Sequence, residues 1–422
     1  MPHEIQDIQE DSRDGKREVS VSIRHLKLFE SVARLSSVRK ASEECHLSQP
    51  AVTQALAKLE EQLGVPLLER RASGSYLNDY GVIFHRRIER LFHQIDQALI
   101  ELGVPNGRTP VSLISSRITR SQIRSLIAIV ENGSFTQASR ALGVTQTSLH
   151  RAARDLERTL RIPLYVQTST GVMATPGGAE FARKVKLAIG EIERGIDELE
   201  AAKGDFGGEI VVGAMLLAGS VVLASVLDEF VARYPKVHVR VLNGNAEDMI
   251  SYLRAGDVDF VIGLLRQPVP EGLVNEVFAE TPYVVVGRHG HPLAQKPKVT
   301  REDLAQYDWV VGTPGANRRI GFEKLFEGGP QPSARIATCS LQTIKLLLTK
   351  SDRLTLLTSY ELMQEEEALT AMAVGPIKPV PAIGLTMRQD WLPTQIQANF
   401  LKLIQEKIVG TLVLRKELRL VS

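Results

Sequence analysis

Cysteine is nearly absent from this sequence: Cys45 and Cys339 are the only two in 422 residues. Two thiols so far apart, with no Cys-x-x-Cys and no Cys/His cluster, exclude a disulfide framework and a zinc site and suit a reducing compartment. An excess of charge of one sign is missing too, since 51 Lys and Arg against 49 Asp and Glu leave a net +2. No whole-molecule field points to nucleic acid, so any basic footprint must be local. No stretch approaches the roughly 18 uninterrupted apolar residues of a membrane span. Met1 to Asp7 has neither a basic start nor an apolar run, so a soluble cytoplasmic protein without a membrane partner is expected. Catalytic signatures are also lacking: there is no Walker A loop, Gly-x-Ser-x-Gly, His-Glu-x-x-His or dinucleotide fingerprint. No enzyme activity, cofactor or metal is expected. His289-x-His291 beside Pro292 has no third ligand in view and reads as a solvent-exposed turn.

What is present suffices for several domains, because 43% hydrophobic content over this length can fill two or three cores. The most informative stretch runs from Ser48 to Leu67. Ser48 is an N-cap and Pro50 falls in the first turn, where its missing N–H costs nothing. Val52, Leu56, Leu59 and Leu63 then form one apolar stripe, while Gln49, Thr53, Gln54 and Lys58 face outward. Two shorter helical segments precede it, the first with Leu26, Phe29 and Val32, the second opening at Ser37. Helix, helix and a third helix with an amide-rich first turn suit base edges in the major groove, where Gln pairs with adenine and Ser or Thr serves either base. Leu67 to Gly74 reads as a hairpin wing whose Arg70 and Arg71 suit phosphates or a narrow minor groove.

Ser48-Gln49-Pro50-Ala51, Leu59-Glu60, Leu63-Gly64-Val65-Pro66-Leu67 and the arginine that follows resemble the winged helix-turn-helix of LysR-type transcriptional regulators, over residues 23 to 81. A chance Ser-Gln-Pro cap on a small helical bundle would not agree over so long a stretch. The unit recurs at an offset of 97 without a gap. Ser37, Ala41-Ser42, Gln49, Leu59-Glu60, Pro66-Leu67, Gly74 and Gly81 recur as Ser134, Ala138-Ser139, Gln146, Leu156-Glu157, Pro163-Leu164, Gly171 and Gly178. The long helix after it recurs as well, with Phe84, Ile88, Leu91, Ile95, Ala98 and Leu102 forming a heptad seam echoed by Phe181, Val185, Ala188, Ile192 and Leu199. We read a duplicated headpiece with its linker helix, each seam being suited to pairing with another chain.

The second copy keeps the cap and the glutamine in Thr145-Gln146, replaces Pro50 by Thr147, and puts His150-Arg151 where the first has Thr53-Gln54. Its wing has lost the two arginines. Residues 117 to 175 nevertheless hold eight basic residues against three acidic ones, compared with eight against six over 20 to 78. Phosphate binding by the second copy is expected; the alternative is a dimerisation scaffold.

After Gly208 short apolar runs alternate with helices, an α/β pattern implying parallel sheets covered on both faces. Strands are expected at 210–213, 237–241, 258–263, 283–286, 309–312, 354–357 and 383–386. Phe230 to Pro235, Leu253 to Phe260 and His291-Pro292-Leu293 resemble the effector domain of the same family. The resemblance implies a periplasmic-binding-protein-like (type II) fold of two lobes, with a small effector, often a carboxylate, held between them by helix N-termini and Ser or Thr side chains. Carried over residue by residue, it points to Leu217, Ser220, Asn245, Thr313, Thr338 and Ser340. Leu217 stands near the family's usual Ser/Thr donor, which implies either a more apolar pocket or the use of Ser220 instead.

The expected fold class is therefore multidomain: two all-α winged helix-turn-helix domains and an α/β two-lobed effector domain. The divisions are an acidic disordered tail (1–19), the first headpiece (20–78) and linker helix (79–103), a Pro/Gly linker (104–116), the second headpiece (117–175) and linker helix (176–206), and the effector domain (207–422). Within the last, lobe I takes 207–287 and 382–422 and lobe II 288–381. The expected function is a sequence-specific regulator binding promoter DNA and a small effector, a homodimer or homotetramer through its linker helices, with RNA polymerase as a candidate partner. A constitutive architectural or repressor protein, or a small-molecule-binding protein on the same fold, is the alternative.

Overall fold

The computed structural model describes residues 21–104, 110–168, 171–215, 220–363 and 365–421. The acidic tail and Leu217 lie outside the described residues. The chain forms two compact units, Met1–Gly204 and Asp205–Ser422.

The first unit contains α1 (Ile23–Leu35), α2 (Val38–Glu44), α3 (Gln49–Leu63), the hairpin β1 (Leu68–Arg71) and β2 (Gly74–Leu77), and the long α4 (Asp79–Glu101). A short α5 (Val111–Ser115) follows. The same order then returns as α6 (Arg120–Asn132), α7 (Phe135–Leu142), α8 (Gln146–Leu160), β3 (Tyr165–Thr168), β4 (Gly171–Ala174) and α9 (Pro176–Ala202). Every one of these elements starts 97 residues after its counterpart. The described ends of the Pro/Gly linker are packed: Val104, Val111 and Ile114 are buried in the same core as α4, and α5 packs along that helix.

The repeated residues repeat their roles. Glu60 Oε1 accepts the N–H groups of Leu67 at 2.7 Å and Leu68 at 3.2 Å. Glu157 Oε1 accepts those of Leu164 at 2.8 Å and Tyr165 at 3.1 Å. Each glutamate thus ties its third helix to its wing. Gly81 and Gly178 open the long helices against the wing backbone, where a Cβ would come 2.0 Å from Leu67 O and 2.4 Å from Leu164 O.

Linker helices α4 and α9 pack antiparallel on each other within the chain. Phe84, Ile88, Leu91, Ile95 and Ala98 share one core with Phe181, Val185, Ala188, Ile192 and Leu199. A buried side chain of this size contributes about 1.5–3 kcal/mol. Gly195 admits the Phe84 ring, which would lie 3.0 Å from a Cβ there. The seam read from the sequence as a contact between chains is occupied by the chain's own second linker helix, because periodicity reports that a stripe is covered and not by what.

Asp96, on α4, is half-buried, with Oδ1 lacking a partner. Burial raises its pKa, against the lowering effect of a hydrogen bond with Ser115 and of Lys27 and His93. A carboxyl whose folded pKa lies above its unfolded one loses stability as pH rises between the two, so at neutral pH the ionised group opposes folding. Asp96→Asn is expected to raise the unfolding midpoint at pH 7, with the advantage shrinking as pH falls toward the ordinary aspartate value. Thermal melts at both pH values check this.

The second unit holds β5 (Gly207–Met215), α10 (Ser220–Arg233), β6 (Lys236–Gly244), α11 (Ala246–Ala255), β7 (Phe260–Leu264), β8 (Leu273–Glu280) and β9 (Tyr283–Arg288). A 3-10 turn at Pro292–Gln295 precedes α12 (Arg301–Ala305), β10 (Val310–Val311), α13 (Asn317–Leu325), β11 (Ile336–Ala337), α14 (Leu341–Thr349), β12 (Thr355–Thr358), α15 (Ser359–Met363), β13 (Leu369–Ala371), β14 (Ala382–Arg388) and α16 (Gln395–Val421). The first lobe is a mixed sheet in the order β6-β5-β7-β14-β8, and the second holds β12-β9-β13 with the separate pair β10-β11. The sheets are not wholly parallel as expected: β5 runs parallel to β6 and β7, but β14 runs antiparallel to β7 and β8. Strand β9 bonds to β12 and β13, so residues 283–287 belong to the second lobe and not to the first. The two strands that cross between lobes are joined where Thr281 N donates to Pro381 O at 2.8 Å.

Candidate nucleic-acid interface and effector site

Helix α3 starts where Ser48 Oγ accepts the Ala51 N–H at 3.4 Å, with Pro50 in the first turn. Val52, Leu56, Leu59 and Leu63 are buried. Ser48, Gln49, Pro50, Gln54 and Lys58 are exposed and Thr53 half-buried, so the polar residues form one face. On the wing Arg70 and Arg71 are exposed. Arg71 pairs with Glu69 at 2.9 Å and lies over the Tyr76 ring. Such an exposed pair is weak and can exchange its carboxylate for a phosphate.

The second headpiece presents Thr145, Gln146, Thr147 and Arg151 to solvent. Thr145 Oγ1 accepts the Ser148 N–H at 3.2 Å, and Gln146 Nε2 donates to Thr136 Oγ1 at 3.1 Å. His150 departs from expectation. Its ring stacks on buried Phe135, centroids 4.2 Å apart and planes 11° from parallel. The first headpiece has Thr53 and Val38 at these positions, so a paired exchange has turned a polar outward position into a packing contact. Neither residue alone signals this.

In the second unit of the chain the parallel pair β10-β11 lays two loops side by side. Thr313 Oγ1 lies 3.3 Å from Cys339 Sγ. Thr338 Oγ1 accepts the Ser340 N–H at 3.2 Å. Ser340 Oγ caps α14, accepting the Thr343 N–H at 3.3 Å. Thr313, Thr338 and Ser340 are thus brought together. Asn245 is elsewhere: it follows β6 in the other sheet, and its Oδ1 accepts the N–H groups of Glu247 and Asp248 at 2.9 Å each, the work of a helix cap. Ser220 opens α10, and nothing is described of its side chain.

Residues the sequence did not flag lie between these loops and the crossing strands. Arg318 pairs with Glu361 at 3.0 Å, both buried. Glu361 Oε2 accepts the Thr358 N–H at 2.7 Å, and Tyr360 N donates to Thr281 Oγ1 on the crossing strand at 3.1 Å. Burial raises the pKa of Tyr360 to about 12. These partners stand 43 and 79 residues apart in sequence, and no local motif connects them. His291 is likewise not the exposed residue expected: it is buried, with Nδ1 accepting the Leu293 N–H at 3.1 Å. Among the described residues no helix is long and apolar enough to cross a membrane.

The family described as bacterial regulatory helix-turn-helix protein, lysR family, matches residues 23–82 and again 121–179. The LysR substrate binding domain matches 203–408. The HTH-type transcriptional regulator GalR of Pseudomonas putida is 30% identical over 399 residues, 92% of this chain and 97% of that protein. GbpR of Rhizobium radiobacter, also an HTH-type transcriptional regulator, is 30% identical over 210 residues, 49% of this chain and 69% of that protein. A solved full-length OxyR variant from Pseudomonas aeruginosa shares the fold with a TM-score of 0.52 at 16% identity, over 68% of this chain and 93% of that one. The chain belongs to the LysR family of DNA-binding transcriptional regulators, with an N-terminal helix-turn-helix part and a C-terminal effector-binding domain.

Proposed function

We propose that the two helix-turn-helix units are a tandem duplication, that both engage promoter DNA, and that an effector bound in the C-terminal domain of this cytoplasmic regulator changes promoter occupancy. The observation that carries this reading is the pair of polar first turns, on α3 and α8, each capped by a hydroxyl and each exposed on the face opposite its buried stripe. The domain divisions are those given above, with the second lobe taken to begin at Tyr283, where β9 joins β12 and β13.

The first unit reads most bases. Gln49 is exposed, whereas Gln146 is held by Thr136 and His150 by Phe135. Arg70 and Arg71 hold phosphate, as do Arg151 and the other arginines of the second headpiece. Thr313, Thr338 and Ser340 supply hydroxyl donors to a small effector, a carboxylate being the class such donors suit without a full positive charge. Assembly beyond one chain, and contact with RNA polymerase, would use surfaces other than the α4–α9 seam.

Gln49→Ala is expected to cost roughly 1–3 kcal/mol of specific binding, the worth of a bidentate base contact. Binding to random duplex should be unchanged. Equal losses on both duplexes would reduce Gln49 to a phosphate contact. The function itself is tested by footprinting the DNA upstream of the protein's own gene with and without small carboxylates. Protection unaltered by every one of them favours a constitutive DNA-binding protein.

A further inference from the structure

The seam between α4 and α9 has the form of a two-fold interface built inside one chain. In a two-fold pair, a contact from residue i to the partner of j implies one from j to the partner of i. Arg87 Nε donates to Glu198 at 3.1 Å. Moving 97 residues on from Arg87 gives Lys184, and 97 back from Glu198 gives Glu101. Lys184 and Glu101 are ion-paired. The same exchange relates Phe84 against Gly195 to Phe181 and Ala98, both buried. The axis passes near Leu91 and Ala188.

The symmetry is broken in one place, and the break selects unlike helices. Arg87 also donates to buried Glu191 at 3.0 Å, so one fully buried guanidinium holds two carboxylates. Two copies of α4 would lack the second carboxylate, since Gln94 stands where α9 has Glu191. Two copies of α9 would lack the guanidinium, since Lys184 stands where α4 has Arg87, and lysine cannot offer the planar fork that serves both acids. Pairing of α4 with α9 is therefore favoured over either helix with its own copy.

We infer that one chain is by itself a two-headed clamp for an asymmetric duplex: its linker helices pair with each other, and its two unlike recognition helices address two unlike, inverted half-sites. This rests on the proposal that both units engage DNA. An axis relating the headpieces inverts the half-sites. The exchanges of Pro50 for Thr147, Thr53 for His150 and Gln54 for Arg151 make the half-sites differ in sequence.

The seam is tested without DNA. Light and heavy-nitrogen chains are unfolded together, refolded and treated with a carbodiimide, which joins an ion-paired lysine and glutamate as an amide with loss of water. The Lys184–Glu101 cross-link should be found all light or all heavy. Mixed-isotope peptides would show that the helices pair between chains, and absence of the cross-link would show that they do not pair; either overturns the inference.

The clamp is tested on a duplex recovered by the full chain from a randomised library. Hydroxyl-radical footprints should show two unlike half-sites per chain counted by native mass, with Gln49→Ala losing protection at one half and Gln146→Ala at the other. Inserting half a helical turn, about 5 base pairs, should reduce affinity at least tenfold. Identical half-sites with one chain on each, or an insertion without effect, would overturn the clamp. An isotopically pure cross-link with protection of a single half-site, unaffected by Gln146→Ala, would leave the seam standing and remove DNA engagement by the second headpiece, so the two failures are distinguishable.

Discussion

Arg87→Ala is expected to cost the first unit about 3–5 kcal/mol, the usual loss when one partner of a buried ion pair is removed. Arg87 is 0% exposed and Glu191 4%. Burial works against the Arg87 charge, and Glu198 and Glu191 outweigh it, so that its pKa stands above the ordinary value. Without the guanidinium, Glu191 is left among the described residues with the longer contacts to Arg90 at 3.5 Å and Arg194 at 3.7 Å. The loss is thus more the cost of a stranded carboxylate than the worth of the pair. Arg87→Met with Glu191→Met should recover most of it, since apolar replacement of a whole buried pair is often neutral or better. The probe must be local: both tryptophans, Trp309 and Trp391, lie beyond residue 204, so intrinsic fluorescence reports on the second unit. Amide exchange in peptides from α4 and α9 should speed up by two powers of ten or more, at about 1.4 kcal/mol for each. Exchange unchanged in Arg87→Ala would mean that the triad does not hold the seam.

Glu60→Ala should cost about 2–4 kcal/mol, because two N–H groups lose a charged acceptor at once and each such bond is worth about 1.5–3 kcal/mol without full additivity. The N–H of buried Leu67 is the more expensive to strand. Glu60→Gln keeps a carbonyl oxygen in place and should retain most of the stability. The same contrast should appear at Glu157 in the second headpiece. Since Glu60 fixes the wing to α3, Glu60→Ala should also weaken binding to specific duplex more than Glu60→Gln does, as measured by titration of labelled DNA. Equal stability of the two variants would show that solvent satisfies these groups.

What the sequence made legible was local. Ser48, Pro50 and the stripe from Val52 to Leu63 predict α3 within a residue because cap, first turn and periodicity lie on one helix. Of the expected strands, those between helices appear, while β8, β11 and β13 were missed. The first, Leu273–Glu280, lies at a sheet edge and has neither an unbroken apolar run nor a strict alternation, and the other two span only 2 and 3 residues. What covers a surface was not legible. The stripe on α4 was visible, but its partner was set by tertiary packing, as were the stacking of His150 on Phe135 and the buried Arg318–Glu361 pair. At the candidate effector site the hydroxyl loops were placed by analogy, and β10-β11 pairing joins them, while Asn245 behaves as an ordinary cap.

The antiparallel packing of α4 on α9 also bears on how occupancy of DNA responds to the amount of protein. Where two headpieces come from two chains, their pairing is bimolecular, and dilution separates them. Here both sit on one covalent chain, at a local concentration that dilution does not change. Bringing the pair together is a first-order event, so the fraction of paired headpieces stays constant as copy number falls. A cell holding few copies of this chain would still present every headpiece in its paired form.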